Sequence, residues 1–324
     1  MMIGWIEVLK KVYGETIYNQ MAQSILVKHH DLEVINVGLD PYNKYLYPRI
    51  LYRLWRLKGR KTVWIRNFDS ILTMPYDQTD GKNIAMFFHM DYSFQPSYLK
   101  PLWRRLEKIF CHHLEKVNAI VTISKFWQNH FLEKGYRDVS LIYNGFDVDQ
   151  FHFEEEEIFD FKRRFRLEGK PILYLGNCQR IKGSVESYEQ LKDLEAHLVT
   201  SGRKEVDLPT LNLDLDYREY LLLLKASSAV ITMSKFKEGW NRTAHEAMLC
   251  KTPVIGSGLG GMRELLEGGG QIICEDFNDL KEKACYVLEH SELGEMGHAF
   301  AKQFTVKRFE EEWLNLIERV HEES

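Results

Sequence analysis

The chain lacks an apolar run of the roughly 18 residues that a membrane span needs, and it has no C-x-x-C pair and no H-E-x-x-H motif. Its five cysteines are scattered among 324 residues and odd in number, which argues against a disulfide framework and against a structural zinc site. The first residues do not resemble a secretory signal, so we expect a cytoplasmic protein. No metal site is evident, since "LDLD" at 213–216 only imitates a D-x-D pair.

The composition, 44% hydrophobic and 28% charged, is typical of a globular protein. The charges are distributed unevenly along the chain. Residues 1–150 carry 20 Lys and Arg against 15 Asp and Glu, whereas residues 151–324 carry 23 against 32. Much of the basic excess interleaves with Trp, Tyr and Leu at 47–61 and 100–110, a pattern that can bind an anionic membrane surface. Amphipathic helices with inward-packed aromatics are the alternative interpretation, and the acidic whole opposes nucleic-acid binding.

The length predicts two domains, and alternating apolar strands and helical patterns predict an α/β fold with parallel sheets. The predicted strands are MIGWIEV, LEVINVG, KTVWIRNF, NIAMFFHM, AIVTIS and VSLIYN in the first half, then PILYLGN, AHLVTSG, AVITMS, TPVIGS and GQIIC in the second. The acidic stretch 146–165 lacks apolar periodicity, so we divide the chain there into domains 1–150 and 151–305. Residues 306–324 form a predicted amphipathic helix, which could cross back to the N-terminal domain.

The stretch TPVIGSGLGGMRELLE, residues 252–267, contains G-x-G-x-x-G directly after a predicted strand. A dinucleotide-binding unit needs a longer helix after the glycines and an acidic residue about 20 residues on. Three glycines at 268–270 end the helix too early, and Glu275 comes too soon. We therefore predict a strand-to-helix turn that does not bind a dinucleotide.

Two acidic residues upstream, Glu238 and Glu246, flank a Gly-containing turn before a helix that we expect to begin near Thr243. Free amides at such a helix N-terminus favour a phosphate, and neighbouring carboxylates can accept sugar hydroxyl protons. This combination suits a nucleotide sugar. The alternative for Glu246 is structural, because Thr243 and Glu246 also match a capping box.

The segment SKFKEGWNRTAHEAMLCKTPV resembles the donor-binding motif of glycosyltransferase family 4, a family of retaining enzymes. Three further stretches resemble its motifs in the same order: AIVTISKFWQNHF, LIYNGFDVDQF and PILYLGNCQRIKG. The resemblance covers about residues 84–265. It implies a GT-B fold, in which two Rossmann-like, doubly wound domains face a central cleft, with the acceptor on the N-terminal domain and the nucleotide sugar on the C-terminal one.

The resemblance implies that Glu246 binds the donor ribose and that Glu238 reaches the hexose. It places Lys182 at the diphosphate, where a cation stabilises the charge of the leaving group. Asn177 replaces the partner arginine of the family, and Arg180 could substitute for it or be a solvated loop charge. The turn is expected to offer its amides to the donor, although Asn241 and Arg242 depart from the family pattern. Its residues are Gly239, Trp240, Asn241, Arg242 and Thr243.

In the N-terminal half the resemblance assigns His89 to the donor sugar near the reacting carbon, with Asp91 as a weaker candidate. The alternative for His89 is a hydrogen-bonded core residue. Ser124 is a candidate on the acceptor side, although a helix N-cap is its more ordinary role. Gly14, in the stretch KVYGETIYNQM, is the remaining acceptor-side candidate.

The resemblance implies a metal-independent hexosyltransferase without a cofactor, using a UDP- or GDP-hexose and a glycan, lipid-linked or other hydroxyl acceptor. A weakly catalytic or non-catalytic protein that binds sugar nucleotides or glycans on the same fold is the second hypothesis. A phosphorylase or an epimerase is a further alternative on this fold.

Overall fold

A computed structural model of the chain describes residues 1–8, 14–37, 46–93 and 96–322. Within these residues the strands are β1 Met2–Glu7, β2 Asp31–Asn36, β3 Lys58–Arg66, β4 Gln78–Phe87, β5 Ala119–Thr122, β6 Val139–Leu141, β7 Ile172–Asn177, β8 His197–Ser201, β9 Leu211–Leu213, β10 Ala229–Thr232, β11 Val254–Gly256 and β12 Ile272–Ile273.

The helices that connect these strands follow in chain order. They are α1 Gly14–His29, α2 Tyr47–Trp55, α3 Phe68–Thr73, α4 Lys100–Leu114, α5 Lys125–Glu133, α6 Glu155–Phe165, α7 Ser184–Leu191, α8 Tyr217–Ala226, α9 Arg242–Leu249, α10 Gly261–Gly268, α11 Leu280–Glu289, α12 Glu292–Ala301 and α13 Val306–Glu322.

The described chain divides into two compact units, of which the N-terminal one contains residues 1–145 and 306–324 and the C-terminal one residues 146–305. The N-terminal unit has a parallel sheet in the order β2-β1-β3-β4-β5-β6. Because β1 to β2 runs one way across the sheet and the later crossovers run the other, right-handed connections place α1 on one face and α2 to α5 on the opposite face.

Helix α13 packs against α1 and β3 in the N-terminal unit. Its predicted apolar stripe is buried as expected, at Phe309, Trp313, Leu316, Ile317 and Val320. The Trp313 ring lies 5.6 Å from that of Trp5 on β1, and the Phe309 ring meets Tyr18 of α1 edge-on at 4.9 Å. This aromatic packing anchors the last helix of the chain to the first sheet.

The C-terminal unit has a second parallel sheet, in the order β12-β11-β10-β7-β8-β9. Its strand order reverses beside β7, so loops after β7 and β10 open at the same carboxyl edge, where ligands bind in such sheets. The acidic stretch that we treated as aperiodic is helical in part, since α6 begins at Glu155. Glu157 accepts from the Glu154 amide at 3.0 Å, and Phe161 is buried. Acidic residues in a first helical turn are stabilising, so the run of glutamates starts a helix.

Candidate functional site

The loop after β7 brings Lys182 to the carboxyl edge of the C-terminal sheet. A short 3-10 turn, Arg180–Lys182, is followed by Gly183 and α7. Gly183 has φ +74°, and a Cβ there would lie 2.2 Å from the Met233 carbonyl oxygen beside β10. Only glycine allows this close approach, which holds the lysine loop against the end of β10.

Glu238, four residues beyond Ser234 in the loop after β10, meets the Lys182 side chain. The Lys182 Nζ lies 2.7 Å from Glu238 Oε1, and the Ser234 hydroxyl donates to the same oxygen at 2.6 Å. Lys182 also lies 4.7 Å from the centre of the Phe236 ring. The Glu238 side chain is 8% exposed and that of Lys182 30%, so the ammonium still reaches solvent from a largely buried carboxylate.

The backbone of Glu238 is fixed by the glycine turn that contains the G-x-G-x-x-G match. Glu238 N donates to the Leu259 carbonyl at 3.2 Å, and Gly261 N donates to the Glu238 carbonyl at 2.9 Å. Gly256 ends β11 and Gly261 begins the eight-residue α10, so the turn joins a strand to a short helix as predicted. These glycines support the acidic residue upstream.

The helix after the turn, α9, begins one residue earlier than expected and is capped by Asn241. Its Oδ1 accepts from the Ala244 amide at 2.9 Å. The predicted capping box of Thr243 and Glu246 is therefore wrong, because Asn241 already occupies the N-cap position. The amides of Arg242 and Thr243 lie in the first turn, where a helix has no internal partner for its N–H groups.

Glu246 is held by side chains instead. Arg242 Nη2 lies 2.8 Å from Glu246 Oε1, and the hydroxyls of Tyr217 and Tyr220 on α8 donate to the carboxylate at 3.3 and 3.1 Å. Burial raises the pKa of both tyrosines, and the Glu246 charge raises it further. Arg242 also stacks 4.6 Å from the Phe146 ring. Glu246 thus lies in a nearly closed network of polar groups.

A small cavity of about 50 Å³ opens at this edge of the C-terminal unit. Its lining combines polar groups with the ends of β7 and β10: Leu175, Gly176, Asn177, Lys182, Ile231, Thr232, Ser234, Asn241 and Thr243. Arg180 does not line the cavity and is exposed. A larger cavity of about 470 Å³ lies elsewhere in the same unit and is lined by none of the predicted site residues.

Trp240 points away from this cavity into the core. Its Nε1 donates to His245 Nδ1 at 3.1 Å, and its ring packs 5.5 Å from Phe304. His245 Nε2 lies 3.0 Å from the Ala301 carbonyl, and burial lowers the His245 pKa to about 3. The side chain of Trp240 therefore does not face the cavity, and only its backbone could contact a ligand bound there.

The predicted residues of the N-terminal half lie at the carboxyl edge of the first sheet. His89 follows β4 and is exposed, and Asp91 accepts from the Ser93 amide at 2.8 Å. Ser124 occupies the N-cap position of α5 without a side-chain cap bond, and within the described residues its buried hydroxyl has no partner. Gly14 begins α1, whereas residues 11–13 of the same stretch lie outside the described residues.

Sequence reasoning missed Ser234, Tyr217, Tyr220 and His245. Ser234 was detectable, since it precedes Glu238 by four residues in the same loop. The tyrosines come from α8, at a sequence distance that no local pattern spans.

The described residues contain no group of three or more His, Cys, Asp or Glu side chains arranged for a metal ion. No helix among them is both long and apolar enough to cross a membrane.

The two parallel α/β units have the fold of the GT-B class, as the solved structures similar to this chain show. Residues 170–290 match the family model described as glycosyl transferases group 1. The C-terminal unit is therefore related to the group 1 glycosyl transferases over these residues.

Individual proteins are also similar to this chain in sequence or in structure. A trehalose synthase of Thermococcus litoralis is 32% identical over 106 residues, covering 31% of this chain and 26% of that protein. An uncharacterised glycosyltransferase of Methanocaldococcus jannaschii is 26% identical, covering 58% of this chain and 56% of that one. The chain thus spans between a quarter and about half of these relatives. The structure of Anabaena HepE in complex with UDP-glucose matches with a TM-score of 0.75 at 14% identity, covering 98% of this chain and 100% of that one.

Proposed function

We propose that the protein transfers a hexose from a nucleoside diphosphate sugar to a hydroxyl of a glycan, lipid-linked or other acceptor, with retention at the anomeric carbon. The observation that carries the proposal is the Lys182 and Glu238 pair beside a polar cavity at the carboxyl edge of the second sheet. The group 1 family match over 170–290 and the UDP-glucose bound to HepE support a nucleotide-sugar donor.

Each group has a role that follows from its chemistry. Glu238 accepts a hydrogen bond from a hexose hydroxyl, since an ionised carboxylate is an acceptor only. Lys182 offers an ammonium to the diphosphate as negative charge grows on the leaving group. The first-turn amides of α9 add donors and the positive end of the helix dipole. Glu246 accepts from the ribose hydroxyls, in exchange for one of the donors that now hold it.

The acceptor and His89 belong to the N-terminal unit in this proposal. We propose that the reaction requires neither a metal nor a cofactor, because the lysine and the amides supply the positive potential. Retention follows here from the family, whose reactions use the leaving phosphate to help deprotonate the acceptor on the same face.

The test is Glu238→Gln, which keeps the shape of the side chain but removes its charge. We expect transfer to fall by roughly 100-fold or more, as when a group that acts on the transition state is removed. The control is Glu157→Gln, which removes a carboxylate paired with Arg218 at 2.8 Å in the same unit but outside the cavity. Equal activity of the two variants would refute the role of Glu238.

The donor is identified by thermal shift with UDP-, GDP- and ADP-hexoses, since a ligand that binds the native state raises its stability. Nuclear magnetic resonance of the product then gives its anomeric configuration, and an inverted product would refute retention.

A second function, binding of a sugar nucleotide or glycan without turnover, is favoured by one observation. Asn177 lines the cavity where the family has an arginine, and Arg180 does not line it. Calorimetric titration together with donor hydrolysis and transfer assays distinguishes the two, because a binding protein would take up the nucleotide sugar and leave it intact with every acceptor.

A further inference from the structure

The larger cavity of the C-terminal unit, of about 470 Å³, is separate from the candidate site. Helix α9 reaches both cavities, because Thr243 near its beginning lines the small one and Leu249 at its end lines the larger one. The rise of a helix puts these two residues roughly 9 Å apart along its axis. The volume of the larger cavity lies within the range of small-molecule sites, roughly 300–1,000 Å³.

Two side chains that line this cavity meet the last carbonyls of α9. Lys225, in the last turn of α8, donates from Nζ to the Cys250 carbonyl at 3.1 Å. His298 of α12 donates from Nδ1 to the Leu249 carbonyl at 3.0 Å. Both bonds stabilise the end of α9, whose last carbonyls have no partner within the helix. The Lys225 ammonium keeps two further N–H groups for a ligand, and the His298 ring keeps Nε2.

Lys251 adds a second ammonium to the same cavity, from a backbone position that favours glycine. Its φ is +61°, in the left-handed region. Two hydrogen bonds close the turn, from the Lys251 N–H to the Met248 carbonyl at 3.0 Å and from the Thr252 N–H to the Ala247 carbonyl at 2.9 Å. Glycine is the usual residue at this place in such a turn. The turn therefore does not require a lysine, whereas the cavity is lined by its side chain.

The ion pair of Lys251 does not account for the lysine either. Its Nζ lies 2.9 Å from Glu295 Oε1, but the two side chains are 44% and 66% exposed. Ion pairs as exposed as this one contribute little to stability, because water screens both charges. An anion in the cavity can therefore take the place of the carboxylate at small cost.

The opposite wall of the cavity, in the segment before α6, is held by Arg218. The guanidinium donates to the carbonyls of Gln150 and His152, each at 3.1 Å. It also lies 4.3 Å from the centre of the Phe153 ring. These contacts order the wall, in which the half-buried Phe151 lines the cavity.

The lining favours an anion with an apolar body. Among the described residues that line the cavity, Asp149 is the one carboxylate, and it is exposed, so Lys225 and Lys251 leave the lining positive. Lysine ammonium groups bind phosphate as compact charges, and a phosphate has three oxygens that accept hydrogen bonds. Phe151 offers apolar surface to the rest of the ligand. Cations that only capped a helix would need neither the cavity nor the ring.

We propose that this cavity is a second small-molecule site, which binds a phosphomonoester with a small, ring-shaped apolar body. Lys225 and Lys251 contact the phosphate together with Nε2 of His298, and the body packs against Phe151. The proposal does not depend on sugar transfer, because the cavity shares no lining residue with the candidate site.

The experiment is calorimetric titration of the full chain with phenyl phosphate, in excess UDP so that the nucleotide occupies the candidate site. We expect one phenyl phosphate per chain, weaker binding of inorganic phosphate and no binding of phenol. Lys251→Gly should lower the affinity about fivefold, as when one partly exposed charge contact is lost. Its melting temperature should be unchanged or higher, since glycine suits the turn. Phe151→Ala should weaken binding of phenyl phosphate but not of inorganic phosphate.

The matched control is Lys170→Gln/Lys192→Gln, which removes two exposed ammonium groups of the same unit that also pair with carboxylates, those of Glu195 and Glu189. Circular dichroism checks that each variant is folded. Equal affinity of Lys251→Gly and this control for phenyl phosphate would overturn the proposal. Displacement of phenyl phosphate by UDP would also overturn it, because the phosphate would then lie in the candidate site. Phenol binding as tightly as phenyl phosphate would overturn it in favour of an apolar ligand.

Discussion

The support of Glu238 by a glycine turn gives a prediction about Gly260. This residue has φ +69° and ψ −139°, a backbone conformation that is strongly unfavourable for every residue except glycine. Its backbone pairs with Glu238, and a Cβ added at Gly260 would lie 2.4 Å from the Glu238 carbonyl oxygen and 2.8 Å from its nitrogen. No side-chain rotation relieves this contact, because both atoms are backbone.

The cost of Gly260→Ala follows from these numbers. The backbone conformation costs about 1–3 kcal/mol for a residue with a side chain. Moving Glu238 away weakens two backbone hydrogen bonds, each worth about 0.5–1.5 kcal/mol. We therefore expect the free energy of unfolding to fall by roughly 2–6 kcal/mol, and the 2.7 Å contact between Lys182 and Glu238 to be lost.

The same turn offers a matched control at Gly258. Its φ of +68° is nearly identical, but a Cβ there would meet the Ile273 side chain at 3.0 Å and no atom of Glu238. Gly258→Ala should cost only about 1–2 kcal/mol and leave donor binding intact. Urea unfolding gives the stabilities, and titration with the donor found by thermal shift gives the affinities. The reasoning is refuted if Gly260→Ala is no less stable than Gly258→Ala and binds the donor equally well.

Three further predictions concern buried ionisable groups. His245 stays neutral in the native state down to a pKa of about 3, while an unfolded histidine takes up a proton near 6.5; the contribution of His245 to the free energy of unfolding should thus fall by about 1.4 kcal/mol per pH unit below 6.5, and the difference in stability between the unaltered chain and His245→Asn should change with pH by that amount. Burial and the nearby Asp69 and Glu7 raise the pKa of Glu15 from 4.5 to about 7, so the contribution of Glu15 to stability should decline as pH rises from 4.5 to 7, and Glu15→Gln should melt higher than the unaltered chain at pH 8 but not at pH 4. Breaking the buried pair of Glu246 by Glu246→Gln should cost on the order of 3 kcal/mol, and a double-mutant cycle with Arg242→Gln in urea should show a coupling well above zero.

Hydrophobic periodicity located the sheets well because both faces of a parallel sheet are covered. Every predicted strand is found, and most are runs of apolar residues that the core buries, whereas the edge strand β2 is exposed or half-buried along its whole length. The missed strand, β9 at Leu211–Leu213, has three residues at the edge of its sheet, too few to show a period. The prediction also missed the first residues of β3 and β4, at 58–60 and 78–80, because these residues are polar and mostly exposed.

The parts of the candidate site that lie within one local motif were predictable from the sequence. The parts that depend on a choice between two possible caps, or on residues of another helix, were not. The spacing of Glu238 and Glu246 and the lysine loop place those side chains correctly at one edge of one sheet. The capping-box prediction failed because two residues, Asn241 and Thr243, could each cap the same helix, and a sequence does not say which one does. The tyrosines that hold Glu246 come from another helix and required the fold to be known.

Each glutamate of the candidate site is paired with a cationic side chain, and this pairing bears on the proposed mechanism. Lys182 pairs with Glu238, Arg242 pairs with Glu246, and Lys182 is the one charged residue lining the small cavity in the described part of that unit. In the proposed function a diphosphate must therefore share Lys182 with Glu238, and neutralising Glu238 releases the whole ammonium to the phosphates. Glu238→Gln should then bind the free nucleoside diphosphate more tightly while transferring hexose more slowly. A carboxylate that only stabilised the fold would instead weaken both on removal, so the opposite signs of these two effects identify Glu238 as a group that acts on the sugar.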